Sequence, residues 1–398
     1  MFFVLLLQQL LKDDFLALLG GAIWSFCIGS INMGVYLRMY ALLTMTSVIF
    51  SWLHLKFLTN YSDGKPMRNT LVLIQLATIA GILSQYYFLF YAFFFCGFVC
   101  VYFLIKKDWA TLRCYMLTQF SAVAAAELLF PRMIVRLLFG DRGSEALDNM
   151  LHGSGYAAQL QQVLDVINAE LFGGFGAVVL AVSTVLLLAA VIIDRHKKGG
   201  FCTADGFAML MLATAGGYIF AVTKIAPYQV DRYFMCVFPL LILYSVYGLC
   251  RGVLALSQKN RACAALAAVA MLVFTLSCTG TGEISYIYPD NSERAEALEQ
   301  YMDIPVVALN GDCYNDSVLQ WAFEFQNFEN VFLCRNQEIS DIALAADDGT
   351  LDHGFLLYVH QDTRDDAELF TKISKWIEIE HYTKVADTQG CRVFYCSG

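Results

Sequence analysis

Residues Tyr86–Ile105 read YYFLFYAFFFCGFVCVYFLI, without one charged side chain. A helix needs roughly 20 apolar residues to cross the hydrocarbon core of a bilayer, and this run has that length. Working outward, further apolar stretches appear at about Phe15–Ser30, Val35–Leu58, Leu71–Leu83, Thr111–Phe130, Leu171–Ile193, Gly206–Ile225, Tyr233–Leu249 and Ala262–Cys278. The reading is a multi-pass protein of the cell membrane with about nine spans. Composition agrees: of 398 residues 58% are hydrophobic, 14% aromatic and only 15% charged, against about 25% charged in soluble proteins.

Charge divides the chain in two. Residues 1–282 hold 19 Lys and Arg against 13 Asp and Glu, whereas residues 283–398 hold 7 against 22, giving −9 overall. A basic, apolar first part suits a bilayer and an acidic tail suits water, so the expected domains are a transmembrane helical domain, 1–282, and an α/β domain, 283–398. No basic face is present to neutralise phosphates along a nucleic acid, and that class of partner is disfavoured.

Topology follows from where Lys and Arg fall. Lys56, Lys65 and Arg68, then Lys106, Lys107 and Arg113, then Arg195, Lys197 and Lys198, then Arg251, Lys259 and Arg261 occupy alternate loops. All four clusters therefore belong on the cytoplasmic side. The segments Gly29–Gly34, Ser84–Gln85, Pro131–Glu170 and Ala226–Arg232 belong outside, with the acidic tail. The first segment, residues 1–10 (MFFVLLLQQL), lacks the basic start and cleavage site of a signal peptide. It reads as the last turns of a helix whose beginning is missing, or as a short amphipathic entry segment.

In the tail, short apolar runs at Pro305–Leu309, Asn330–Cys334, Phe355–His360 and Arg392–Cys396 predict strands. Ser317–Gln326 and Asp365–Glu378 carry helical spacing, and a small Rossmann-like α/β sandwich is expected. The first strand runs into LNGDCYND, which has no glycine-rich nucleotide fingerprint. Of thirteen cysteines, Cys313 and Cys334 each follow a strand, and a disulfide between them or free buried thiols are both open, as they are for Cys391 and Cys396. No cysteine or histidine spacing suggests zinc, and no metal or cofactor is implied.

Ionisable groups near the membrane need a reason to be there. In INMGVYLRMYALL, Arg38 lies one turn inside the outer end of a span. Snorkelling to head groups is one reading; a guanidinium fork for phosphate is the other. SQYYFLFY places Tyr86 and Tyr87 at an outer turn, where tyrosines also serve as interfacial anchors. In AAAELLFPRMIVR, Glu127 is expected to pair with Arg132 or Arg136. The densest group is VTKIAPYQVDRYFMCVFP, with Lys224, Tyr228, Asp231, Arg232 and Tyr233 in one short outer turn. Two cations and a carboxylate held there suit a phosphate at head-group level, with an Asp231–Arg232 cap as the plainer alternative. GGFG at Gly173–Gly176 reads as close helix packing, and Ala157–Ile167 as an amphipathic helix with Leu160, Val163, Leu164 and Ile167 on the lipid surface.

Arg38-Met39-Tyr40 opening a helix, then Tyr86-Tyr87, then Pro227, Tyr228, Asp231, Arg232, Tyr233 and Pro239 form an ordered set of motifs. Over about residues 10–282 the chain resembles the GT-C membrane glycosyltransferases. Within them it is similar to bacterial relatives of the protein O-mannosyltransferases and of the lipid A aminoarabinose transferase. The resemblance implies an enzyme of the cell envelope that takes a sugar from a polyprenyl-phosphate carrier. That sugar would pass to a lipid, glycan or protein acceptor outside the cytoplasm. It also implies donor-phosphate contacts from Arg38, Lys224 and Arg232, in a pocket lined by Tyr40, Tyr86, Tyr87, Tyr228, Asp231 and Tyr233. In this family an acidic residue of the first outer loop is the catalytic base, and Ser30–Gly34 carries none. The base is therefore unassigned. A non-catalytic scaffold or receptor of the same fold, lacking the N-terminal helices and that acidic loop, is the alternative. A transporter is disfavoured, since no internal repeat is seen.

Overall fold

The computed structural model describes all residues other than 36–38, 136–139, 141–143, 145–147, 152–154, 199–201, 227–229, 282–297, 311–329, 336–348, 361–365, 376–378, 389–390 and 398. The chain divides into two compact units, Met1–Tyr286 and Ile287–Gly398.

Among the described residues the secondary structure of the first unit is helical. In chain order its helices are α1 (Phe2–Leu11), α2 (Asp14–Ser25), α3 (Ile28–Val35), α4 (Tyr40–Ser62), α5 (Arg68–Ser84), α6 (Phe88–Lys106) and α7 (Trp109–Leu129). After them come α8 (Tyr156–Phe172), α9 (Gly176–Lys198), α10 (Thr203–Ile225), α11 (Phe238–Leu256) and α12 (Arg261–Thr281). Between α10 and α11 two 3-10 turns, Asp231–Tyr233 and Met235–Val237, carry the chain back into the bundle.

Among the described residues the expected spans fall on helices, though not each of those helices is by itself long and apolar enough to cross a membrane. Six helices are long and apolar enough: α4, α6, α9, α10, α11 with the turn before it, and α12. A seventh results if α2 and α3, bent by 61°, count as one broken span. The expected span Phe15–Ser30 is thus two helices, and Leu71–Leu83 falls on α5, whose 17 residues are short for a crossing. α7 is long enough, but its Arg113, Gln119 and Glu127 dilute its hydropathy and it is not among the six.

Burial separates the helices into a centre and a rim. The apolar windows of α11 and α4 are 78% and 67% buried, those of α9 and α12 only 22% and 28%. On α9 the exposed Val178, Val182, Val185, Leu188 and Ile192 recur at helical spacing, which is the stripe a rim helix presents to lipid. Its other face meets α11 closely. A Cβ on Gly248 would stand 2.6 Å from the Ser183 carbonyl oxygen, and one on Gly252 2.4 Å from Leu186 Cβ. Ser183 Oγ also donates to the Ser245 carbonyl at 3.0 Å. Gly248 and Gly252 make a G-x-x-x-G pair, which lets two backbones approach inside a membrane.

Contacts join the basic loops at one end of the unit. Gln9 bonds Thr59 at 3.3 Å, Arg261 bonds Asp13 at 2.9 Å, and Arg251 on α11 bonds Asp205 on α10 at 3.1 Å.

The second unit is a five-stranded mixed sheet. Its strands are β1 (Val306–Asn310), β2 (Val331–Arg335), β3 (Phe355–His360), β4 (His381–Thr388) and β5 (Cys391–Ser397), in the order β2-β1-β3-β5-β4. β1 pairs in parallel with β2 and β3, and β5 runs antiparallel to β3 and β4. Alternation along β1 and β3 sends Val307, Leu309, Leu357 and Val359 to one face, against Phe370 and Ile373 of helix α13 (Asp366–Ile373). Val306, Ala308, Leu356 and Tyr358 pack on the other, with Leu298. The four expected strands are present. β4 escapes the apolar pattern because HYTKVADT is polar: it is an edge strand, exposed over much of its length and carrying a Lys384–Asp387 ion pair, as edge strands often do.

Cys391 and Cys396 lie on β5 itself, five positions apart, about 17 Å at the strand rise, and a disulfide needs Cα atoms within about 7 Å. Cys396 is a buried free thiol. Cys313 and the expected helix Ser317–Gln326 lie outside the described residues.

Candidate functional site

The end of the helical unit away from the basic loops gathers α3, the start of α4, the turn before α6, the end of α8 and the Asp231–Tyr233 turn. Tyr233 is the hub. Its ring lies 4.9 Å from Tyr87 and 6.4 Å from Tyr40, and Arg232 sits 5.7 Å over it. The Tyr233 carbonyl accepts the Tyr218 hydroxyl at 2.7 Å, which ties the turn to α10. Tyr40, Tyr87 and Tyr233, separated widely in sequence, are thus one aromatic cluster. Tyr86 is half-buried beside it, its N–H bonded to the Gln85 side chain at 2.7 Å. Lys224, in the last turn of α10, stands 6.0 Å over the ring of Tyr156 at the start of α8. Tyr156 and Glu170 are separated by about 21 Å of helix rise, so Lys224 belongs to the far end of α8 from Glu170. Arg38 and Tyr228 lie outside the described residues.

The residue that stands out is Glu170, on the last turn of α8. It is only 7% exposed, and Asn32 of α3 donates to its two carboxylate oxygens at 3.0 and 2.9 Å. Burial is the main cause of a pKa raised from 4.5 to about 7, the Asn32 bond opposes it, and the nearby charge of Asp231 adds to it. The C-terminal end of a helix carries partial negative charge and works in the same direction.

The position of Glu170 is built in with care. Its backbone carbonyl and that of Leu171 accept the Cys27 thiol at 3.2 and 2.9 Å, satisfying groups a helix end leaves open. Gly173, at φ 58, closes the helix by donating to the Ala169 carbonyl at 2.9 Å. Asn168 braces the following turn through Gly174 and Ala177. Gly29 lets α3 lie against this end, since a Cβ there would stand 2.7 Å from the Phe238 ring and 3.3 Å from the Glu170 carbonyl.

One expectation is corrected. α8 does not rest Val163 and Ile167 on lipid: both are buried in the bundle core, at 0% and 4% exposure, while Leu164 remains exposed. The helix ends in a carboxylate that needs protein around it, and its apolar face turns inward with it. In GGFG the expected close packing is present, with a Cβ on Gly173 standing 3.2 Å from Cys278 of α12 and one on Gly176 3.3 Å from the Asn168 backbone of α8, and Gly173 and Gly174 also take positive φ. Glu127 accepts the Ile134 N–H at 3.1 Å, and among the described residues no ion pair joins it to Arg132; Arg136 is not described. In the sequence Glu170 is one acidic residue among several. The available signal is its place on the apolar face of a helix that runs Val163, Ile167, Glu170, Leu171.

The chain matches no protein-family model and no curated protein. Among solved structures it is similar to the crystal structure of ArnT from Cupriavidus metallidurans bound to undecaprenyl phosphate. The TM-score is 0.46 and the identity 12%, over 98% of this chain and 84% of that one. So low an identity transfers no residue role.

Proposed function

We propose that this protein is a GT-C-type glycosyltransferase that moves a sugar from a polyprenyl-phosphate carrier to an acceptor hydroxyl outside the cytoplasm, with its α/β unit on the same side. The observation that carries this is Glu170, a buried carboxylate poised near neutrality beside Asp231 and the Tyr40–Tyr87–Tyr233 cluster. Transfer of a glycosyl group to a hydroxyl needs a proton acceptor on one side and charge stabilisation of the leaving phosphate on the other. A base is most effective when its pKa lies near the working pH. Glu170 fills the role that the first outer loop leaves vacant, held in aim by Asn32. Arg232, over Tyr233, and Arg38 are assigned to the leaving phosphate, and Asp231 to keeping Glu170 partly protonated. Lys224, standing at Tyr156, is assigned to the carrier's approach along α8.

The test is transfer from a polyprenyl-phosphate sugar by the purified full chain. Glu170→Gln and Arg232→Ala are each expected to lower the rate at least about a hundredfold, with carrier binding retained in Glu170→Gln. Full turnover in Glu170→Gln would remove the base assignment. Carrier binding without turnover in the wild type, under every donor tried, would favour the scaffold reading of the same fold.

A further inference from the structure

At the opposite end of α10 from the Glu170 site the helical unit holds a cavity of about 690 Å³, within the size range of small-molecule sites. Leu10 and Leu11 of α1, Ile193 of α9 and Leu254 of α11 make an apolar wall, and Lys12, Arg251 and Lys259 add three cations. The ends of four helices meet here, and the placement of Lys and Arg in the sequence assigns this end to the cytoplasmic head groups.

Arg251 is held in one orientation. Its Nε bonds Asp205 at 3.1 Å, its Nη2 bonds Asp194 and Asp205, and Asp205 in turn accepts the Tyr247 hydroxyl at 2.6 Å. Nη1 takes part in none of these bonds, which leaves two donors on a fixed guanidinium that lines the cavity, the geometry suited to a phosphate oxygen. Lys12 and Lys259 make no ion pair among the described residues, and they leave the rim net positive despite Asp194 and Asp205.

The backbone supplies an independent observation. Lys12, Gln258 and Lys259 all have positive φ, at 54°, 55° and 70°, a conformation in which helix ends usually place glycine. All three line this cavity. Among the described residues the one other non-glycine with positive φ is Lys107, at 57°, which does not. Long polar side chains thus stand where glycine is the easier choice, and they stand around one opening.

We propose that this cavity binds the phosphate of an anionic phospholipid from the adjoining leaflet, with glycerol and the first acyl carbons against Leu10, Leu11, Ile193 and Leu254. Under the charge reading this is the cytoplasmic leaflet. The site is independent of the transferase reading, and its test needs no turnover.

The experiment is native mass spectrometry of the full chain, delipidated in detergent and titrated with phosphatidylglycerol, phosphatidylcholine or inorganic phosphate. Phosphatidylglycerol is expected to bind well above phosphatidylcholine. Lys12→Gln with Lys259→Gln is expected to weaken it about fivefold per lysine. Both residues are exposed, so the unfolding temperature should not move. Lys107→Gln, a lysine in the same kind of helix cap, should bind as the wild type does. Equal affinity for phosphatidylcholine, undiminished binding in the double variant, or an equal loss in Lys107→Gln would overturn the proposal. Competition by inorganic phosphate at matched concentration would overturn the lipid as occupant and point to a soluble phosphate compound.

Discussion

Replacing Glu170 by glutamine separates the burial of a charge from the burial of a shape. In the folded chain the carboxyl loses its proton at about pH 7 instead of 4.5. The folded state therefore holds a proton that the unfolded state has released, and stability falls as pH rises through that window, levelling above it. Each pH unit of that interval is worth about 1.4 kcal/mol, so wild-type folding loses about 3 kcal/mol between pH 4.5 and 8 from this one group. The amide of the Glu170→Gln variant would keep a carbonyl oxygen for the Asn32 N–H and carry no charge, at a cost of about 1 kcal/mol for its imperfectly placed NH2 group. Denaturant unfolding of both proteins in the same detergent at pH 4.5, 6 and 8 gives the comparison, since every other titrating group is common to the two. The variant is expected to be slightly less stable at pH 4.5 and more stable by about 2 kcal/mol at pH 8, while losing transfer activity. Parallel stability profiles would refute the reasoning, because they would mean that Glu170 meets the same solvent folded and unfolded.

Asp231→Asn removes a negative charge that helps raise the Glu170 pKa, so the midpoint of the Glu170 titration, followed by the infrared carboxyl band, should move to lower pH. Gly252→Ala forces a methyl to within 2.4 Å of Leu186 Cβ and should destabilise the α9–α11 contact by about 1–3 kcal/mol, read as a lower unfolding temperature; Gly216→Ala, with nothing within 4 Å, is the neutral control. In the α/β unit, burial pushes the Cys396 thiol up to about 12. It should resist maleimide until the chain is unfolded, and non-reducing peptide mapping should show no link to Cys391.

The membrane character, the helical course of the expected spans among the described residues and the four apolar strands are legible because each depends on a local pattern. A run such as Tyr86–Ile105 has few alternatives to a helix in lipid, since its backbone groups must bond within the segment. β4 is not legible, because an edge strand is free to be polar. The break at Phe26–Cys27 is not legible for a related reason: apolar length alone does not reveal that it bends α2 from α3. Gly248 and Gly252 are legible in principle, as a spacing, yet only Ser183 and Leu186 across the gap give that spacing a meaning.

For the candidate site, sequence by itself determined the residue types available at each membrane end, and it singled out Tyr87, Asp231, Arg232 and Tyr233 by their outer turns, while Tyr40 entered through the resemblance of its helix-opening motif. Tertiary structure decided which of them meet. It set Tyr233 between Tyr40 and Tyr87, placed Lys224 at Tyr156 instead, and raised Glu170 above the other acidic residues. The reason is physical: a proton affinity depends on burial, on the Asn32 hydrogen bonds and on the charge of Asp231, and chain neighbours supply none of these. They come from α3 and from the turn before α11, and only the packed bundle brings them to one carboxylate.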